Sequence, residues 1–135
     1  MKNLTPQQAY QTLLEDPSAR LIDVRTDAEW AFVGLPDLSD AGKQVVLIPW
    51  QLFPSMKLNE QFVEQLEAEG VSREDKLFFI CRSGARSAHA ALAVEAAGFT
   101  SADNVADGFE GPVDREGHRG RLSGWKADGL PWRQR

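Results

Sequence analysis

One stretch of this 135-residue sequence gathers the residue types of a reactive sulfur site: Leu77-Phe78-Phe79-Ile80-Cys81-Arg82-Ser83-Gly84-Ala85-Arg86-Ser87-Ala88. The four residues before Cys81 are apolar and two are aromatic, which predicts a strand covered on both faces. That strand ends on the only cysteine of the chain. A short loop follows, and an Ala-rich helix is expected over Ala88 to Ala97, capped by Ser87 and stopped at Gly98. Gly84 permits the backbone to turn inward where a side chain would clash. A thiol at such a junction faces backbone N–H groups and the positive end of a helix, and both favour the thiolate, the nucleophilic form. Arg82 and Arg86 add positive charge, so the loop is expected to hold an anion over Cys81. A lone cysteine after an apolar run is commonly a small core residue. A core cysteine, however, requires neither the glycine, nor the two arginines, nor the helix start.

The rest of the chain reads as the holder of that sulfur. Its length suits one domain over residues 1–135 with a core of its own. A hydrophobic content of 42% and a charged content of 26% are those of an ordinary globular chain. No apolar run approaches the ~20 residues of a membrane span, and the N-terminus lacks an apolar secretory core. No membrane partner is expected, and the default location is the cytoplasm. A single cysteine cannot form an internal disulfide, and no Cys-x-x-Cys pair exists. With only His89 and His118 as histidines, no metal site and no cofactor are expected. The net charge of −5 divides unevenly. Residues 1–80 carry 7 Lys/Arg and 13 Asp/Glu, whereas residues 81–135 carry 8 and 7. The half with Cys81 is the less acidic one, which suits a small anionic substrate but not a nucleic-acid surface.

Thr5-Pro6-Gln7-Gln8 and Thr26-Asp27-Ala28-Glu29 both read as capping boxes, opening a helix to about Glu15 and a short helix through Trp30, Phe32 and Val33. Leu21 to Val24 and Val45 to Ile48 read as strands, and Asp103 to Val105 as a further short one. Asn59 is expected to cap an amphipathic helix with Phe62, Val63 and Leu66 on one face. Strands alternating with helices predict an α/β fold: a parallel central sheet with helices on both faces. Ligands in such sheets bind at the carboxyl ends of strands, where both Cys81 and Asp23-Val24-Arg25 fall. Asp23, Arg25 and Glu29 read as a structural salt-bridge cluster near the site. Asp107-Gly108-Phe109 reads as a turn beside it, and Trp50 as a pocket wall or a core residue. The tail, residues 112–135, lacks periodicity, yet its Trp125, Leu130 and Trp132 predict an extended segment packed on the domain.

Nearly the whole chain resembles the single-domain rhodaneses. The resemblance rests on Leu21-Ile22-Asp23-Val24-Arg25 with Glu29 and Trp30, on Cys81-Arg82-Ser83-Gly84-Ala85-Arg86-Ser87, and on Asn104-Val105-Ala106-Asp107-Gly108-Phe109 with Gly111. It differs at Gly34-Leu35, where these domains usually carry Gly-His. The resemblance implies a sulfurtransferase in which Cys81 takes sulfur from an anionic donor such as thiosulfate. The amides of Arg82, Ser83, Gly84, Ala85, Arg86 and Ser87 would hold the persulfide, and Arg82 and Arg86 would bind the donor's sulfonate. With no resolving thiol, the sulfur must pass to an outside acceptor, cyanide in the test tube or a thiol in the cell, and a protein donor or acceptor is a possible partner. Two alternatives stand beside it. One is a non-catalytic rhodanese-like binding module. The other is a phosphatase or arsenate reductase of the same fold, whose Cys-x5-Arg loop places arginine where this chain has Ser87.

Overall fold

A computed structural model describes residues 1–135. Both capping boxes form. The Thr5 hydroxyl accepts from the Gln8 N–H at 3.1 Å while Gln8 Oε1 accepts from the Thr5 N–H at 3.0 Å, opening α1 (Pro6–Glu15). Thr26 and Glu29 exchange the same bonds and open α2 (Asp27–Val33). A short strand β1 (Asn3–Leu4) precedes α1, and β2 (Ala19–Asp23) precedes α2. Then come β3 (Leu35–Pro36), a 3₁₀ turn (Ser39–Ala41), β4 (Val46–Leu47), the hairpin β5 (Gln51–Leu52) and β6 (Lys57–Leu58), and α3 (Phe62–Ala68). The chain continues through β7 (Lys76–Ile80), α4 (Ala85–Ala96), β8 (Ser101–Val105) and β9 (Trp132–Arg133).

Five strands pair in parallel in the order β1-β8-β7-β2-β4. The central strand β7 is buried along nearly its whole length, as its unbroken apolar run requires. Its side chains alternate between two cores. Leu77 and Phe79 join Ile22 and the inner faces of α3 (Phe62, Leu66) and α4 (Ala90, Ala91, Val94). Phe78 and Ile80 join Leu21, α1 (Ala9, Leu13) and, from beyond β8, Phe109 and Trp125. The sheet is thus covered by helices on both faces, and on one face partly by the tail. Trp50 packs edge-on against Phe62 at 5.2 Å, on the flank of the first core.

Several boundaries differ from the sequence reading. Helix α4 starts at Ala85, three residues before the expected Ala88, because Gly84 at φ 111° already turns the chain. Ser87 is therefore not a cap; it lies inside the first turn with its hydroxyl directed elsewhere. Asn59 does not cap α3 directly, whose N-cap is Gln61; it closes the preceding turn by accepting from the Gln61 N–H at 3.1 Å. The β5–β6 hairpin and the β3–β9 pairing carry no strong periodic signal and were not expected. No helix is long and apolar enough to cross a membrane.

Candidate active site

Cys81 stands one residue past the carboxyl end of β7 and is 1% exposed. Its Sγ accepts from the Gly84 N–H at 3.1 Å and the Ser87 N–H at 3.4 Å, and the Ser87 hydroxyl oxygen lies 3.1 Å from it. These donors are at the first turn of α4, so the helix end and the sulfur coincide as the local sequence predicted. Two backbone N–H groups and a hydroxyl thus face one sulfur at the start of a helix.

The loop is held from behind. The Cys81 carbonyl accepts from the Phe109 N–H at 2.8 Å, and the Arg82 carbonyl accepts from Glu110 and Gly111 at 2.9 and 3.1 Å. With its carbonyls tied to the turn after β8, the loop keeps amides for the sulfur. That turn passes through two left-handed residues, Asp107 (φ 65°) and Gly108 (φ 62°). It is held in turn by the tail, since Trp125 donates its N–H to the Gly108 carbonyl at 2.8 Å and Lys126 donates to Phe109 at 3.1 Å. Trp125 itself is fully buried, with Nε1 bonded to the Pro131 carbonyl at 2.7 Å.

A Cβ on Gly108 would overlap the Cys81 carbonyl oxygen and come within 2.7 Å of the Arg82 backbone. Neither group can move without dislodging the loop. Gly108→Ala is therefore expected to cost roughly 2–4 kcal/mol, combining overpacking with an alanine at positive φ. Denaturant unfolding measures it, and a loss below ~1 kcal/mol would show that the loop yields.

The charged residues divide into two groups. Asp23 and Arg25 form an ion pair with no exposed side-chain surface. Arg25 Nε donates to Asp23 Oδ1 at 3.0 Å and Nη2 to Oδ2 at 2.7 Å, and Nη2 also reaches the Gly34 carbonyl at 2.8 Å. The guanidinium lies 4.3 Å over the Phe109 ring, and its Nη1 has no partner. Glu29 does not join this pair. It grips Arg86 with both oxygens, at 2.7 and 3.0 Å, and so ties α2 to the first turn of α4. Arg86, expected to reach for a donor's sulfonate, has its guanidinium occupied by Glu29. Arg82, Ser83 and Ala85 are exposed, and Gly84 and Arg86 are half-buried.

Burial pushes the Glu29 carboxyl up, but the hydrogen bonds and charge of Arg86 outweigh it and hold the group below its ordinary value. Burial likewise works against the charge of Arg86, and Glu29, with smaller contributions from Cys81 and Asp23, holds Arg86 above its ordinary value. A carboxyl lowered in the folded state stabilises fully above its ordinary 4.5 and loses that contribution as pH falls through the lowered value. The stability difference between the protein and Glu29→Gln should thus be constant near neutrality, about 1 kcal/mol for a half-buried pair, and shrink in acid. Thermal melts across pH 3–7 measure it; a difference that grows in acid would contradict the assignment.

Sequence reasoning missed Asn104. This buried residue of β8 accepts from the Ser87 hydroxyl at 2.5 Å and donates to the Gly84 carbonyl at 3.1 Å. Its signal was a polar residue within a buried strand, already inside the string that carried the resemblance. His89 and His118 are exposed and remote from these contacts. No cleft is lined by Cys81. The largest, about 600 Å³ beside Leu38, Lys43 and Arg133, includes no loop residue. An apolar groove of about 360 Å³, with Phe32, Phe53 and Met56, shares Glu29 with the site.

The model of the STR4 middle domain family matches residues 2–135. A crystal structure of a Mycobacterium tuberculosis protein is 47% identical with a TM-score of 0.91, covering 100% of this chain and 98% of that one. The solution structure of the polysulfide-sulfur transferase homodimer of Wolinella succinogenes is 25% identical with a TM-score of 0.67, covering 100% and 80%. An uncharacterized protein of Rickettsia conorii is 34% identical over 98% of this chain and 97% of its own length. A chloroplastic thylakoid rhodanese-like protein of Oryza sativa is 29% identical over 92% of this chain and 23% of its own length.

Proposed function

This chain belongs to the STR4 middle domain family, of rhodanese-like fold, and from that premise we propose that it is a sulfurtransferase carrying sulfane sulfur as a persulfide on Cys81. The observation that carries the reading is the convergence of the Gly84 N–H, the Ser87 N–H and the Ser87 hydroxyl on one buried sulfur at a helix start. The likeness to a polysulfide-sulfur transferase supports sulfane sulfur as the cargo.

In the first step the Cys81 thiolate attacks the outer sulfur of thiosulfate. The new S–S bond forms as the old one breaks, and sulfite leaves with the bonding pair. The persulfide's terminal sulfur carries the negative charge, and the loop N–H groups stabilise it as an oxyanion hole stabilises an alkoxide. In the second step a nucleophile attacks that terminal sulfur and releases the Cys81 thiolate; with cyanide the product is thiocyanate. Arg82, exposed at the loop, is the arginine free to meet the sulfonate of an anionic donor, because Arg86 is held by Glu29. The same engagement, with Ser87 where a Cys-x5-Arg loop has its arginine, disfavours tetrahedral phosphate or arsenate chemistry. A protein persulfide as donor, and a thiol as acceptor, fit the same scheme.

Intact mass after incubation with thiosulfate tests it. A gain of about 32 Da that cyanide discharges as thiocyanate is the expected result for a covalent sulfur carrier. No gain with a reactive Cys81 would point to another donor or to the oxyanion chemistries, and no gain with an inert Cys81 to a binding module.

A further inference from the structure

The Asn104 side chain touches two of the residues that face the sulfur and is itself 3% exposed. Its Nδ2 donates to the Gly84 carbonyl at 3.1 Å and to Asn3 Oδ1 at 2.9 Å. Those bonds use both amide protons and turn Oδ1 toward Ser87, whose Oγ lies 2.5 Å away. The same Oγ lies 3.1 Å from Cys81 Sγ. A serine hydroxyl has one proton and cannot serve both acceptors at once. While Cys81 is a thiol the sulfur is itself a donor, and the bonds run in one direction: S–H to Ser87 Oγ, and Ser87 O–H to Asn104 Oδ1. When the proton leaves the sulfur for solvent, the Ser87 hydroxyl turns to the thiolate and Asn104 loses its donor.

We propose that Asn104 is a positioning residue that, through Ser87, sets how readily Cys81 gives up its proton. It is the resting acceptor of the Ser87 proton and competes with the thiolate for it. In the sulfur relay proposed above, on which this extension rests, the charge moves outward to the terminal sulfur of the persulfide, and the Ser87 proton returns to Asn104. The loop has holds besides Asn104. The Gly84 carbonyl also accepts from Ala88 at 3.3 Å, and the Cys81 and Arg82 carbonyls are held by residues 109–111. The charged groups on the elements packed against the loop are Arg86 of α4 with its partner Glu29 of α2, the Asp23–Arg25 pair at the end of β2, Arg82 of the loop and Asp107 of the turn after β8. None is altered by the substitutions below.

The test is an ultraviolet titration of the thiolate in the full chain, with Cys81→Ser as the blank. Asn104→Leu removes the competing acceptor and excludes water from its place, so the midpoint should fall by about 0.5–1 unit, the worth of one hydrogen bond. Asn104→Asp strengthens the acceptor and should raise it. Ser87→Ala should raise it as well, and adding Asn104→Leu to Ser87→Ala should change nothing more. Shifts in one direction for both Asn104 variants, or a Leu effect that persists without the Ser87 hydroxyl, would overturn the proposal. If Asn104→Leu does not fold, Asn104→Asp with and without Ser87→Ala decides it: the rise must shrink when the hydroxyl is gone, and an undiminished rise overturns it. Failure of the sulfur relay would leave these titrations unchanged, so the two readings fail separately.

Discussion

Cys81→Ser is expected to abolish sulfur uptake from thiosulfate, by ~10³-fold or more, because a serine hydroxyl is no substitute for a thiolate nucleophile near neutral pH. The fold should survive. The replaced atom is buried, and an oxygen in its place still accepts from Gly84 and Ser87. Intact mass and a thermal melt on the same sample separate the two effects. The chain has no second cysteine to take over the chemistry. Undiminished uptake in the variant would remove Cys81 from its proposed role, whereas loss of uptake with loss of fold would leave stability as the cause.

Arg25→Leu is the second large effect, and it bears on stability. Asp23 and Arg25 are both without exposed side-chain surface and meet through two bonds. Removing the guanidinium leaves a buried carboxylate without its counter-ion, a loss of roughly 3–5 kcal/mol. For a domain of this size that lowers the melting temperature by about 10 °C or more. The damage should extend to the cysteine loop, because Arg25 also holds the Gly34 carbonyl and packs on Phe109, whose N–H anchors the Cys81 carbonyl. The double variant Asp23→Leu/Arg25→Leu removes the stranded charge and should recover part of the loss. A single variant within ~1 kcal/mol of the parent would mean that the pair is not as dry as its geometry indicates.

Much of this architecture was legible in the sequence because its rules are local. The two capping boxes each span four residues and formed as read. The apolar run before Cys81 had to be a covered strand, and Gly84 had to be where the backbone turns inward. Even there local reading erred by one turn. It assigned Ser87 to the cap because serine favours that position, whereas Gly84 at positive φ starts the helix and releases the Ser87 hydroxyl to the sulfur. Alternation of strands and helices was sufficient for a parallel α/β sheet, but not for the β5–β6 hairpin or the β3–β9 pair. Those are two-residue strands, too short for any periodicity to register.

The partners of the site were decided by tertiary structure alone. Glu29 is a capping residue by its spacing to Thr26, and nothing within its own helix says that it will grip Arg86, 57 residues away. Arg86 reads as a free cation beside a cysteine until the sheet order brings α2 and α4 together. Asn104 reads as one polar residue in a strand until the parallel pairing of β7 with β8 sets it beside the loop, within reach of Ser87 and Gly84. The sequence by itself determined where the single cysteine falls, the strand that leads to it and the helix that begins beside it, because strand periodicity, caps and positive-φ glycines act over a few bonds. The packing of β2, β7, β8 and the tail decided which side chains face the sulfur and which are occupied elsewhere, because those contacts join residues that only the register of the sheet makes neighbours.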